Sequence, residues 1–158
     1  MYADTLMDLE RGHLLRLGMW AVLSVIVGAL LLALVYWRKS NTSFLRHFAI
    51  QTLAWGVLDS AIVVWAWRGL EYRDYAHAMQ LQKFLWLNVG LDGGYVGIGI
   101  TLAIAGWMLG KRLGVLGAGV GVVVQGFALF VLDLRLLTVI DGARIALMTS
   151  PVHTWLFG

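Results

Sequence analysis

The stretch 13–37, HLLRLGMWAVLSVIVGALLLALVYW, decides the fold. Arg16 is its only arginine or lysine and it holds no acid, so it supplies the roughly 20 apolar residues that cross a bilayer. It closes on Tyr36 and Trp37, residues that favour the membrane–water interface, directly before Arg38 and Lys39. It is too long, and lacks the small-residue cleavage site, to be a removable signal peptide. Three more runs repeat the pattern at about 44–67, 83–109 and 113–140, with Trp65 and Trp67, Trp86 and Trp107 near their ends. Pro151 lies beyond the last run, so no span is kinked by proline. The expected fold class is all-α integral membrane: one domain over residues 1–158, built as a four-transmembrane-helix bundle.

Composition agrees. The chain is 60% apolar and 13% charged, with a mean hydropathy of +0.79. A soluble domain of 158 residues leaves too much surface in water to hide that share. The net charge is +3 with the basic residues gathered at segment ends, so nucleic acid is not an expected partner. Cysteine is absent, which excludes thiolate chemistry, disulfides, iron–sulfur clusters and Cys-rich zinc sites. Eight tryptophans suit membrane interfaces and helix contacts.

The connections are short. RKSNTSFLR (38–46) joins the first two spans and GKRLG (110–114) the last two. Residues 68–82 are polar enough to lie on the surface as an interfacial helix, and the amphipathic tail 143–158 is expected to rest there too. The two short loops carry Arg38, Lys39, Arg46, Lys111 and Arg112 without an acid. The opposite side carries Arg11, Arg16, Arg68, Arg73, Lys83, Arg135 and Arg144, spread over longer segments with several acids. Lys and Arg set topology, and because the first helix is more basic on its C-terminal flank, both termini are expected outside, in a bacterial cytoplasmic membrane. Asn41-Thr42-Ser43 matches a glycosylation sequon, but so tight a loop is a poor acceptor.

QTLAWGVLD (51–59) and QGFALFVLD (125–133) both set Gln and Asp eight residues apart and end in Val-Leu-Asp. Either they mark two copies of a helical hairpin with parallel orientation, or they coincide within an apolar alphabet. Ionisable groups inside a span cost on the order of 2.5–3.5 kcal/mol each at the centre, so Asp59, Asp92 and Asp133 need a partner or a purpose. At a rise of about 1.5 Å per residue, the three carboxylates fall roughly 10–13 Å below the face that carries the termini. Asn88, Asp92 and Tyr95 form one helical stripe, as do Gln51, Trp55 and Asp59, and Gln125, Leu129 and Asp133. The same spacing runs through Arg16, Trp20 and Ser24, making Arg16 a cationic partner for the layer, with Arg135 a second. The favoured expectation is a satisfied hydrogen-bond and ion-pair cluster that ties the helices together. The rival is a proton, ion or ligand site.

Glycines at Gly90 and Gly94, Gly93 and Gly97, Gly106 and Gly110, and Gly117 and Gly121 form small-xxx-small pairs that let helix backbones approach. GVLGAGVG (114–121) is no phosphate loop: it follows a basic membrane loop and lacks a GK[ST] ending. His13, His47, His77 and His153 do not pair in mid-membrane, so a bis-His haem is not expected. No metal motif or catalytic constellation is visible, and an enzyme is the least favoured class. The sequence requires no cofactor; contact with lipid or pigment is compatible with it.

LGMWAVLSVIVG (17–28), FLWLNVGLDGGYVGIG (84–99) and VVVQGFALFVLDL (122–134) together resemble a family of small four-helix bacterial membrane proteins of unknown activity. The LN-x2-LD-x2-Y and QG-x5-LD elements carry the resemblance, which spans Leu17 to Leu134. The second span departs from it, with HFAIQTLAWGVLD where an Asn-rich polar segment is expected. The resemblance implies the topology and no activity. The leading expectation is a non-catalytic accessory subunit of a larger membrane complex, photosynthetic or respiratory, with membrane lipids and other membrane subunits as partners. The alternative is a small oligomeric ion, proton or solute transporter using the Asp layer.

Overall fold

A computed structural model describes residues 2–38, 42–72 and 75–148. The sequon at Asn41, the basic residues Lys39 and Arg73, and the tail 149–158 lie outside them. Four helices follow in order: α1 Tyr2–Trp37, α2 Ser43–Arg68, α3 Tyr75–Met108 and α4 Leu113–Met148. All four are long and apolar enough to cross a membrane. The helices outrun the expected spans. Residues 75–82, expected as a separate surface helix, are the first turns of α3, and α4 continues through Met148. The reason is spacing: Ala78, Leu81 and Leu85 recur at helical intervals and bury against Leu6, Leu136, Leu137 and Ile140.

The bundle changes character along its length. At the end bearing the termini, large apolar side chains turn inward, while Asp4, Asp8, Arg11, His77 and Lys83 are exposed. Over the rest of the bundle the interior is small and polar (Ala21, Ser24, Gly28, Thr52, Gly56), while Leu23, Ile26, Leu30, Ile98, Ile104 and Phe127 face outward. Apolar association cannot drive helices together in a lipid-like surround, so close backbone packing does.

Glycine supplies that closeness. A Cβ at Gly119 would stand 2.5 Å from the Ala103 nitrogen, and one at Gly56 2.7 Å from the Val25 nitrogen. Gly28 meets Leu53, Gly106 meets Leu116, Gly117 meets the Phe44 carbonyl and Gly121 meets Gln51. The expected packing face at Gly90, Gly93, Gly94 and Gly97 is not used within the chain: a Cβ at any of them would meet nothing within 4 Å. Those positions lie on the side of α3 turned away from α4. Gly110 differs again. With φ of 82° it is a turn residue, and with Lys111 at φ 54° it reverses the chain between α3 and α4. The turn is held by Lys111 Nζ over the Trp107 ring, 5.5 Å from its centroid.

Helices α1 and α2 form one antiparallel hairpin and α3 and α4 the other, joined by α2 against α4; α1 touches α4 lightly, and α2 scarcely touches α3. The α1–α4 seam is locked by Trp20 Nε1, which donates to Gln125 Oε1 at 2.8 Å, and by Gln125 Nε2, which donates to Ser24 Oγ at 3.2 Å.

Gly119→Leu and Gly56→Leu are each expected to cost about 1–3 kcal/mol or more through overpacking, read as a lower unfolding midpoint in detergent. Gly90→Ala should leave the midpoint unchanged or raise it by up to about 1 kcal/mol, since helix propensity is all that changes there.

Candidate functional site

Because α2 and α3 diverge, a cavity of about 750 Å³ occupies the space between them, with walls from all four helices. It runs from Trp55 and Tyr95 toward Arg68 and Gln80. The Trp55 and Tyr95 rings meet edge to face, 5.1 Å between centroids, and close its inner end. Its polar wall holds Asp59, Asp92, Asp133, Glu10 and His13. Leu58, Ile62, Trp65, Phe84 and Leu129 make much of the apolar remainder.

Each acid is placed by a helical stripe. On α2 the buried residues are Ala49, Thr52, Gly56 and Asp59, so Asp59 ends the packing face rather than the Gln51–Trp55 line. On α3, Asn88, Asp92 and Tyr95 all line the cavity, and Gly126 of α4 lets them approach: a Cβ there would lie 3.2 Å from the Asp92 carbonyl. On α4, Asp133 follows buried Gln125 by two turns. Asp59, Asp92 and Asp133 stand within electrostatic reach of one another.

Their satisfaction is uneven. Asp133 Oδ1 lies 3.2 Å from His13 Nε2, a buried polar contact that closes the α1 side. Asp59 and Asp92 are 2% and 5% exposed, yet the Oδ2 of each has no hydrogen-bond partner among the described residues. A cluster whose only task is to tie helices together satisfies its oxygens, because each orphan costs on the order of 1–3 kcal/mol. Asp59 and Asp92 thus each hold one carboxylate oxygen that no described residue satisfies.

Other expected members lie elsewhere. Gln125 belongs to the α1–α4 seam and Gln51 is half-buried against Gly121. Arg135 is exposed and outside the cavity. Arg16 lines a separate groove, because the buried stripe of α1 runs Glu10, His13, Leu17, Ala21, Ser24, about 120° around the helix from it. Glu10 and His13, which no motif in the sequence marks, complete the polar wall. Their signal is the i, i+3 spacing in phase with Leu17, Ala21 and Ser24. Among the described residues no three His, Asp or Glu groups gather closely enough to hold a metal ion.

Four apolar helices around a polar chamber fit a multi-pass membrane protein. Residues 16–134 match the model of the family of unknown function DUF6992, and the chain belongs to that family. The three Asp residues fall inside the matched region; Glu10 and His13 precede it. No curated protein and no solved structure matches the chain.

Asp59→Leu and Asp92→Leu are expected to raise the unfolding midpoint in detergent, by relieving an unpartnered buried oxygen worth about 1–3 kcal/mol. Asp133→Leu should lower it by a similar amount, since it strands the buried His13 ring. If all three lower the midpoint alike, the acids are structural glue.

Proposed function

We propose that this protein is a small multi-pass membrane carrier that binds an amphiphilic monovalent cation in the carboxylate chamber, in competition with protons. One observation carries the reading: two buried carboxylate oxygens, on Asp59 and Asp92, face a cavity of about 750 Å³ and have no partner there. A buried carboxylate is tolerable only when a proton or a cation neutralises it. The chamber offers more than charge. Trp55, Trp65 and Phe84 set aromatic faces and apolar surface opposite the acids, complementary to a cation on an apolar body. Proton and solute compete for the same oxygens, so protonation releases cargo. The inner seal at Trp55–Tyr95 would have to part for passage to the other side.

Membrane placement follows from the helices. A hydrocarbon layer of about 30 Å, measured from Arg38 and Arg112, ends at the level of Arg16, Trp65, Trp86 and Arg135. The acids lie just inside that boundary and the chamber opens toward it. The close-set basic residues Arg38, Arg46, Lys111 and Arg112 support a cytoplasmic loop side with the termini outside, in a bacterial cytoplasmic membrane, against basic residues on the terminal side that are spread over longer segments. The hairpin pairing and parallel α2 and α4 support a two-copy repeat, with the α2–α3 side opened as the chamber.

A second reading, a non-catalytic accessory subunit, is favoured by the glycine face of α3 at Gly90, Gly93, Gly94 and Gly97, which lies open. A chain that runs alone in mild detergent removes it.

The carrier reading is tested with tetraphenylphosphonium, followed by isothermal titration calorimetry in detergent and by uptake into liposomes. Binding is expected to weaken at least tenfold in Asp59→Asn and in Asp92→Asn. It should also weaken as pH falls, because the deprotonated carboxylates hold the cation. Binding untouched by both substitutions and by pH overturns the proposal.

A further inference from the structure

On the opposite flank of the bundle, α1 and α4 enclose a second recess of about 690 Å³. It is apolar along its length, lined by Leu23, Val123, Phe127 and Val131, with Arg16 at its terminal end. It faces outward: Met19 is 65% and Phe127 60% exposed. Its floor is sealed, because the Trp20 indole N–H is spent on Gln125 and leaves only the ring to the groove.

Arg16 is the unspent charge. It forms no ion pair or hydrogen bond with a described residue. Its guanidinium folds back one turn along α1, where a Cβ at Gly12 would lie 3.6 Å from Nη1. That direction leads away from the apolar groove and toward the terminal face, as a snorkelling arginine does. Arg16 precedes Arg38 by 22 residues, about 33 Å of helix, so with Arg38 at one membrane boundary Arg16 stands at the other. From Leu132 down to Val123 the groove runs about 14 Å toward mid-bilayer, the direction of an acyl chain hanging from a headgroup.

From this we infer that the α1–α4 groove is a binding site for an anionic phospholipid, its phosphate on Arg16 and one acyl chain along Leu23, Phe127 and Val131. A lone cation at the mouth of a narrow apolar groove is the complement of such a lipid. Arginine suits phosphate through its forked donors. A second copy of the chain is the poorer occupant, since an apolar helix seated there leaves Arg16 buried without a counter-charge. The inference rests on the membrane placement proposed above and is independent of the cation chamber.

The test is native mass spectrometry of the protein released from nanodiscs of phosphatidylcholine containing phosphatidylglycerol. One phosphatidylglycerol per chain is expected to be retained in preference to phosphatidylcholine. Arg16→Gln should reduce retention at least fivefold, Arg16→Lys should keep part of it, and Arg135→Gln, at a similar depth but outside the groove, should keep all of it. Leu23→Trp, which fills the groove and leaves the charge, should also abolish retention. Added phosphatidylglycerol should raise the unfolding temperature of the unaltered protein and not of Arg16→Gln, which shows that the variant is folded and has lost the lipid. Equal retention of the two lipids, full retention in Arg16→Gln, or an equal loss in Arg135→Gln overturns the assignment. Because Arg16 does not line the chamber, tetraphenylphosphonium binding is unchanged in Arg16→Gln, so failure of one proposal is distinguishable from failure of the other.

Discussion

Everything in this bundle depends on backbones approaching where there is no Cβ. Gly119 against Ala103, Gly56 against Val25 and Gly117 against Phe44 set helix separations that any larger residue would widen. With the contact faces that lean, the bulky Leu, Ile and Phe side chains have nowhere to go but outward, and the interior is left to Ala, Ser, Thr, Gln and Asp. In water such an arrangement would expose its apolar surface and fail. Against lipid the outward face costs nothing, and interior hydrogen bonds and dispersion hold the helices. Only at the terminal end, where Leu6, Leu136, Leu137 and Ile140 turn inward, does the chain return to the logic of a soluble core.

The two sides of the α2–α4 centre are treated differently. Where α1 meets α4, Gln125 is clamped by Trp20 and Ser24 and the seam is closed. Where α2 faces α3, the helices part and the Trp55–Tyr95 contact seals only the inner end. The unequal treatment of the acids follows. Asp133 looks toward α1 and finds His13; Asp59 and Asp92 look into the gap and find space. A bundle optimised for stability alone would close that gap with apolar residues, so the gap reads as function retained at the expense of stability.

Some of the site was plain in the sequence. Carboxylates are rare inside apolar runs, so Asp59, Asp92 and Asp133 announce themselves, and helix rise alone brings them to one level. Their neighbours were harder. The stripe Arg16, Trp20, Ser24 fits helical spacing as well as the true one, and a rotation of about 120° separates the chamber from the lipid-facing groove. Nothing local chooses between them. The choice is made by Gly56 and Leu53, which press on Ala21, Ser24 and Gly28 and so fix which face of α1 looks inward. The glycine pairs divide for the same reason. Gly106 and Gly117 are used, while Gly90 to Gly97 face away from α4 and Gly110 is spent on a turn.

By itself, then, the sequence determined four long apolar helices, their order, their short loops and the presence of an acid in three of them, because length, hydropathy and composition are properties of each helix alone. Tertiary structure decided which acids are paired and which stand open to a cavity. It also decided that His13 rather than Arg16 meets the layer, and that α3 begins two turns before its apolar run. Those outcomes depend on how helices rotate and separate. That is set by close contacts between residues of different helices, which no single helix records.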